Sequence, residues 1–292
     1  MRVQHEAWQR AALAAIGERP HHATWRELGG STLNATWRLD TPRFAYFVKV
    51  NRAARATMLQ AEAEALAAIE RTAAVRVPHP VATGIDSDHA FLVLEWLDLG
   101  ARACAGALGC ALARMHRHTA ARFGWHRDNT IGTTPQRNAP RASWVEFWAE
   151  ARLEPLLELS ARSTGARDLV ALGARTIAAL PELFGAHDPA PSLVHGDLWG
   201  GNWGCVDDGP VVFDPATYYG DREVDIAMTE LFGGFPRAFY DAYAAEWPLD
   251  QGYARRRDLY NLYHVLNHAT LFGGSYARQA CSMMRGLLER SR

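Results

Sequence analysis

The chain has 292 residues, too many for one small domain and suited to one large domain or two coupled lobes. Hydrophobic residues make up 48% and charged residues 22%, with a net charge of −1 from 31 basic and 32 acidic side chains. That balance excludes a largely disordered chain and, lacking a basic excess, a duplex nucleic-acid binder. No apolar run reaches the ~18–20 residues that span a bilayer, and no secretory segment follows Met1, so the expected location is cytoplasmic. The cysteines Cys104, Cys110, Cys205 and Cys281 form no CxxC pair and are expected as free thiols. One count stands out: 30 of the 31 basic residues are arginine, and the single lysine is Lys49. A position that keeps an ammonium in such a chain marks a place where a guanidinium does not fit.

Taken in order, the pattern predicts a helix over Gln4–Ile16, then strands at Trp25–Leu28, Ala35–Leu39 and Phe44–Val50. The first two flank Gly29-Gly30-Ser31, and Thr41-Pro42 turns into the third. A helix over Ala54–Ile69 follows, then short apolar pieces at Val75–Val77 and Val81–Thr83 and a strand at Ala90–Glu95. Past Gly100 helical patterns dominate: Ala103–His118, Trp144–Leu159, Asp168–Leu180, Asp225–Leu231, Pro236–Trp247, Arg255–Leu271 and Tyr276–Glu289. Two strand candidates, Ser192–Val194 and Val211–Phe213, lie among them. The expected class is α+β, a strand-rich lobe over 1–97 and a mostly helical lobe over 98–292, with ligands in the cleft between.

The strongest local signal is Val194-His195-Gly196-Asp197-Leu198-Trp199-Gly200-Gly201-Asn202, an Asp-x4-Asn directly after an apolar strand. A second apolar strand, Val211-Val212-Phe213, then ends in Asp214. Kinase catalytic loops use this arrangement. A hydroxyl nucleophile needs a carboxylate to orient it and accept its proton, here Asp197. The triphosphate charge needs Mg²⁺, a hard cation that takes oxygen ligands, here Asn202 and Asp214. The bland alternative, in which Asp197 and Asn202 only cap turns, does not explain the second strand and its carboxylate.

Such a site requires a strand lysine for the α/β-phosphates and a helix glutamate to hold it. The one lysine lies in the third strand candidate. On the next helix, Met58 and Leu66 fall about 40° either side of Glu62, which therefore centres the apolar face. A carboxylate there needs a partner, and Lys49 is the natural one. Gly29-Gly30-Ser31 stands where a phosphate-covering turn would be. Glu95-Trp96-Leu97 would form the hinge, with the backbone of Glu95 and Leu97 on the adenine edge.

These residues resemble the fructosamine kinase (ketosamine-3-kinase) family, a branch of the aminoglycoside phosphotransferase and protein-kinase-like fold. The likeness covers nearly the whole chain. It rests on His195–Trp203, on Phe213-Asp214-Pro215 with Tyr218–Glu223, and on Met228–Pro236. Further pieces are Phe47–Asn51, Phe123–Asn129 with Ile131-Gly132 and Gln136-Arg137-Asn138, and Asp258–His264. The resemblance implies ATP- and Mg²⁺-dependent phosphorylation of the sugar 3-hydroxyl of ketosamines, free or on protein lysines, as a deglycation repair step. By motif position it implies Asp197 as proton acceptor, Asn202 and Asp214 as metal ligands, Lys49 and Glu62 as the ion pair, and Glu95–Leu97 as the hinge. Trp199 is a candidate for stacking on the sugar, and His264 for the substrate pocket. Asp225 would steady the catalytic loop. His264 and His268 are one turn apart, but no third zinc ligand accompanies them. Rival readings are a kinase of the aminoglycoside or choline type and a nucleotide-binding pseudokinase. The first is opposed by the Tyr218–Glu223 and Met228–Pro236 runs, the second by the presence of base, metal ligands and lysine. Gly29-Gly30-Ser31 carries no cysteine, and Thr217 stands where family members often carry one, so thiol control is not expected at either place.

Overall fold

In the computed structural model, which describes residues 6–29, 33–100 and 103–290, the alternation of the Tyr46–Val50 segment forms a central strand. The chain divides into two units, Met1–Cys104 with Gly204–Pro215, and Ala105–Trp203 with Ala216–Arg292. Sequence patterning divides it once, after Leu97; the contacts carry the first unit on to Cys104 and return 204–215 to it.

The first unit is built on a five-stranded antiparallel sheet in the order β1-β2-β3-β5-β4. Its strands are β1 (Thr24–Leu28), β2 (Ala35–Asp40), β3 (Ala45–Arg52), β4 (Pro80–Ile85) and β5 (His89–Glu95). Tyr46, Val48 and Val50 point to one face and pack with Phe91 and Val93 of β5 and with Trp8 and Leu13 of α1 (Ala7–Ala15). Full burial of such a side chain contributes roughly 1.5–3 kcal/mol. The period of two then forces Lys49 to the opposite face, opposite Leu92 of β5 and Thr36 of β2. Helix α2 (Ala56–Glu70) covers that face with Met58, Leu59, Leu66 and Ile69 buried.

The second unit opens with α3 (Ala105–His116) and two short strands, β6 (Asn129–Ile131) and β7 (Thr134–Gln136). Next come α4 (Trp144–Phe147), α5 (Glu154–Thr164), α6 (Arg167–Ala178) and α7 (Leu180–Phe184). The single helix predicted over Trp144–Leu159 is broken by a π-helical turn at Trp148–Leu153. Pro155, at the start of α5, has no N–H to continue the ladder, and the wider turn absorbs the mismatch.

Strand β8 (Ser192–Val194) leads into the Asp197 loop. β9 (Trp203–Val206) and β10 (Gly209–Val212) form the hairpin that from Gly204 onward belongs to the first unit. It is tied there by Gly100 N–H to Cys205 O at 2.7 Å and Val212 N–H to Arg76 O at 3.0 Å. β11 (Tyr218–Gly220) pairs antiparallel with β8, Val194 opposite Tyr218. The chain ends in α8 (Glu223–Leu231), α9 (Arg237–Glu246), α10 (Tyr253–Phe272) and α11 (Gly274–Arg290).

The thiol expectation is corrected for two cysteines. Cys104 and Cys205 form a disulfide, 101 positions apart in sequence, because the hairpin returns beside the segment that leaves β5. Cys110 and Cys281 are free. No helix among the described residues is long and apolar enough to cross a membrane.

Candidate active site

In the first unit the structure joins three of the expected residues. Lys49 Nζ donates to Glu62 Oε1 at 2.6 Å and to Asp214 Oδ1 at 2.5 Å. The lysine side chain is buried and the glutamate side chain largely so, while Asp214 is 50% exposed. Burial works against the ammonium, but attraction to Glu62 and Asp214, with a hydrogen bond to each, raises the Lys49 pKa above the ordinary lysine value. Asp214, two residues past β10, has a φ of +58°, a left-handed conformation that Asp tolerates better than most residues. Its Oδ1 accepts from Lys49.

The segment after β5 lines a cavity of about 480 Å³ in the same unit, with Phe47, Pro78, Leu94, Trp96, Leu97, Leu99 and Phe213 as apolar walls and Asp214 at its edge. Glu95 N–H donates to His79 O at 2.9 Å and Trp96 N–H to Ala45 O at 3.3 Å. The Glu95 carboxylate is turned to Arg76 at 2.6 Å. The Trp96 ring is held between the Arg38 guanidinium, 4.4 Å from its centroid, and Phe47. Of the glycine turn, Gly29 follows β1 and has open space around it. Gly30 and Ser31 lie outside the described residues.

The Asp197 loop, in the second unit, is held through its backbone. His195 N–H and Gly196 N–H donate to the two carboxylate oxygens of Asp225 at 2.6 and 2.8 Å. Asp225 is buried and also meets His116 Nε2 at 3.0 Å, and His116 Nδ1 lies 2.8 Å from the Tyr243 hydroxyl. Burial alone would push the Asp225 carboxyl up. His116 by hydrogen bond and charge, then His195 and the Gly196 N–H, outweigh it and hold the pKa below the usual carboxylate value. Gly196 has a φ of +82°, and a Cβ there would sit 2.3 Å from Ala216 O, so the turn that presents Asp197 accepts only glycine.

Asn202 is brought to Asp197 as its spacing suggests. Its Nδ2 donates to the Asp197 backbone oxygen at 2.8 Å and reaches the carboxylate at 3.4 Å. That orientation leaves the Asn202 carboxamide oxygen outside these two contacts. With the Asp214 carboxylate, the expected metal ligands are thus oxygen donors suited to Mg²⁺.

Trp199 is 42% exposed, so its ring is not consumed by core packing. His264 is buried on α10, and its Nδ1 has no hydrogen-bond partner among the described residues. Burial, with His268 and Arg152 nearby, pushes its pKa down to about 3, so the imidazole is neutral at physiological pH. Among the described residues the one triad of His, Cys, Asp and Glu close enough to share an ion is His187–Glu223–Asp250. There Arg256 already grips both Glu223 oxygens.

Comparison with known proteins places the chain. The family model for fructosamine kinase matches residues 5–290. A protein named as a probable ketoamine kinase from Synechocystis sp. is 46% identical over 267 residues, covering 90% of each chain. The chloroplastic protein-ribulosamine 3-kinase of Arabidopsis thaliana is 38% identical over 262 residues, covering 88% of this chain and 80% of its own. A candidate fructosamine-3-kinase from Haemophilus somnus superposes with a TM-score of 0.88 at 28% identity, over 96% of this chain and 97% of that one. An aminoglycoside phosphotransferase, APH(4)-Ia, solved with AMP-PNP and hygromycin B, has a TM-score of 0.63 at 14% identity over 98% and 99% of the two chains and speaks to the fold alone. The protein-kinase-like α+β expectation is borne out.

Proposed function

Because this chain belongs to the fructosamine kinase family, we propose that it transfers the γ-phosphoryl group of ATP to the 3-hydroxyl of a ketosamine, a sugar already joined to an amine. The observation that carries the kinase part is the buried lysine, the only one in the chain, bridging Glu62 and Asp214 at the edge of the cavity after β5. The substrate class is supported by the names of its relatives, ketoamine kinase and protein-ribulosamine 3-kinase.

Adenine would enter the apolar cavity. The amides of Glu95 and Trp96 already have carbonyl partners, so in this reading the Leu97 N–H would be the edge-reading donor and the Glu95 carbonyl the acceptor. Lys49 commits two of its three N–H donors to carboxylates and keeps one for a phosphate oxygen. The turn that begins at Gly29 would cover the phosphates. Asn202 Oδ1 and the Asp214 carboxylate would hold Mg²⁺, which when bound offsets the phosphate charge. Asp197 accepts the proton of the sugar hydroxyl as its oxygen bonds to the γ-phosphorus and the bond from phosphorus to the bridging oxygen of ADP breaks. Trp199 offers its exposed face to the sugar, and neutral His264 offers a polar group without adding charge. The 3-phosphate of such an adduct is unstable, so the reaction frees the amine and serves repair. We place the enzyme in the cytoplasm, where the Cys104–Cys205 disulfide would face a reducing thiol pool.

The test is ATP consumption with fructosyl-lysine and ribulosyl-lysine, followed by phosphorus NMR to locate the new phosphate. A 3-phosphate is expected, and Asp197→Asn should lose about 10²–10⁴-fold in kcat while still binding Mg·ATP. Turnover of another alcohol but of neither ketosamine sinks the substrate assignment. Turnover unchanged in Asp197→Asn removes the assigned base.

A further inference from the structure

The segment from Asn129 to Asn138 has no part in the steps above, yet it places three carboxamides in the second unit at full or near-full burial. Gln136 uses every polar atom it has. Its Nε2 donates to Ala216 O at 3.0 Å and to Asn129 Oδ1 at 2.8 Å, and its Oε1 accepts from the Tyr263 hydroxyl at 2.6 Å. Asn129 Nδ2 donates to Thr217 O at 2.9 Å. Asn138 Nδ2 donates to Asn129 Oδ1 at 2.8 Å, and Asn138 Oδ1 accepts from Arg152 at 2.9 Å. Arg152 is fully buried; its guanidinium rests on the Tyr218 ring, 3.9 Å from the centroid, and donates to Arg137 O at 2.5 Å.

Three branches of this network end on the stretch 216–218, at two carbonyls and one ring, and others end on the Arg127 and Arg137 carbonyls. That stretch is the seat of the Asp197 turn. Ala216 N–H donates to His195 O at 2.9 Å, and a Cβ on Gly196 would meet both Ala216 O and the Tyr218 ring. A buried network whose carboxamides are paired is rigid, because a shift leaves a desolvated amide unpaired at about 1–3 kcal/mol. A floor needed only for stability could be apolar. This one fixes the Ala216 carbonyl, against which the Gly196 turn packs, and the Thr217 carbonyl next to it in the chain.

We infer that Gln136 and Asn129, braced by Tyr263 and by Asn138 with Arg152, are positioning residues for the proton-accepting Asp197. The inference rests on the reading of Asp197 as base and names what holds it in place. None of these side chains transfers a proton; each acts through the 216–218 backbone.

Gln136→Met keeps the volume and loses all three hydrogen bonds. Per nucleotide-binding site, its kcat with the ketosamine should fall roughly 10- to 100-fold, with KM for ATP unchanged within about twofold, since misplacement by an ångström costs rates of that order. Tyr263→Phe loses one donor and should cost about three- to tenfold. The double variant should be no slower than Gln136→Met, because both act through the Ala216 carbonyl. A Gln136→Met enzyme that melts earlier but turns over within about twofold of wild type per site overturns the inference, as do additive losses in the double variant. Should Gln136→Met not fold, Tyr263→Phe decides alone: full kcat refutes, a kcat loss at constant KM for ATP supports. Wild type inactive on every ketosamine overturns the functional reading and this inference with it. Active wild type with unaffected variants overturns this inference only.

Discussion

The two halves of the proposed machinery are held by different physics. In the first unit, Lys49, Glu62 and Asp214 hold one another as ions, and one of the three is half exposed. In the second, Asp197 is placed by its backbone: amides of the loop bind buried Asp225, and carbonyls beneath it bind Gln136 and Asn129. The contrast suits the two tasks. Phosphate and cation are charges that enter and leave, and an ion cluster with one solvated member can exchange partners at small cost. A proton acceptor must stand still, and backbone hydrogen bonds to a buried anion fix position without competing for the acceptor's own oxygens. The second site should therefore break abruptly and the first by degrees.

The sharpest break expected is Asp225→Ala. It strands the His195 and Gly196 amides and leaves His116 beside a void, so a stability loss of about 3–5 kcal/mol is expected in denaturant melts, together with lost turnover. The Asp225 pKa is lower folded than unfolded. Its contribution is thus complete above the ordinary carboxylate range and disappears as pH falls through the folded value. Wild type should lose this increment in acid, whereas Asp225→Ala should have none to lose. Melts of Asp225→Ala within about 1 kcal/mol of wild type at neutral pH would contradict the anchoring of the loop.

A milder effect is expected from Lys49→Arg, which keeps the charge. A planar guanidinium cannot place single N–H donors on Glu62, Asp214 and a phosphate as a compact ammonium does. The enzyme should stay folded with kcat/KM for ATP reduced on the order of tenfold. Because the lysine pKa is raised on folding, its stabilisation is fully present below the unfolded value and is lost only as pH rises through the folded one. No pH dependence through neutrality is expected from this lysine. Near-normal ATP kinetics in Lys49→Arg would mean that the lone lysine of the composition is a coincidence.

These two sites were unequally legible in the chain. The pairing of Lys49 with Glu62 follows from two periodicities, two along β3 and 3.6 along α2, and both are local. That Asp214 joins them is not local: it depends on the 204–215 hairpin returning to the first unit, and no periodic signal marks that return. The Cys104–Cys205 disulfide was invisible for the same reason. Strands β6, β7, β9 and β11 span three or four residues each, too few to show alternation. Asn129, Gln136 and Asn138 read as ordinary polar residues. The clue was their place within a segment similar to the family, but only side-chain geometry shows three amides converging on one backbone stretch.

The last effect is absent at neutrality, grows with acid and separates the second site from its surroundings. His264 is buried within α10 and carries no counter-ion bond of its own; Asp225 favours its charge, while burial, His268 and Arg152 oppose it and win. With a folded pKa near 3 against 6.5 for an ordinary histidine, the unfolded chain binds a proton that the folded one refuses over that range. Stability should therefore fall by about 1.4 kcal/mol for each pH unit below the ordinary histidine value, relative to His264→Asn, which has no such proton to take up. Parallel stability curves for wild type and variant would mean that the buried imidazole takes up its proton as readily as in the unfolded chain. Divergent curves, with a pH–rate profile that shows no step from His264, would leave it as a neutral buried group that takes no part in proton transfer.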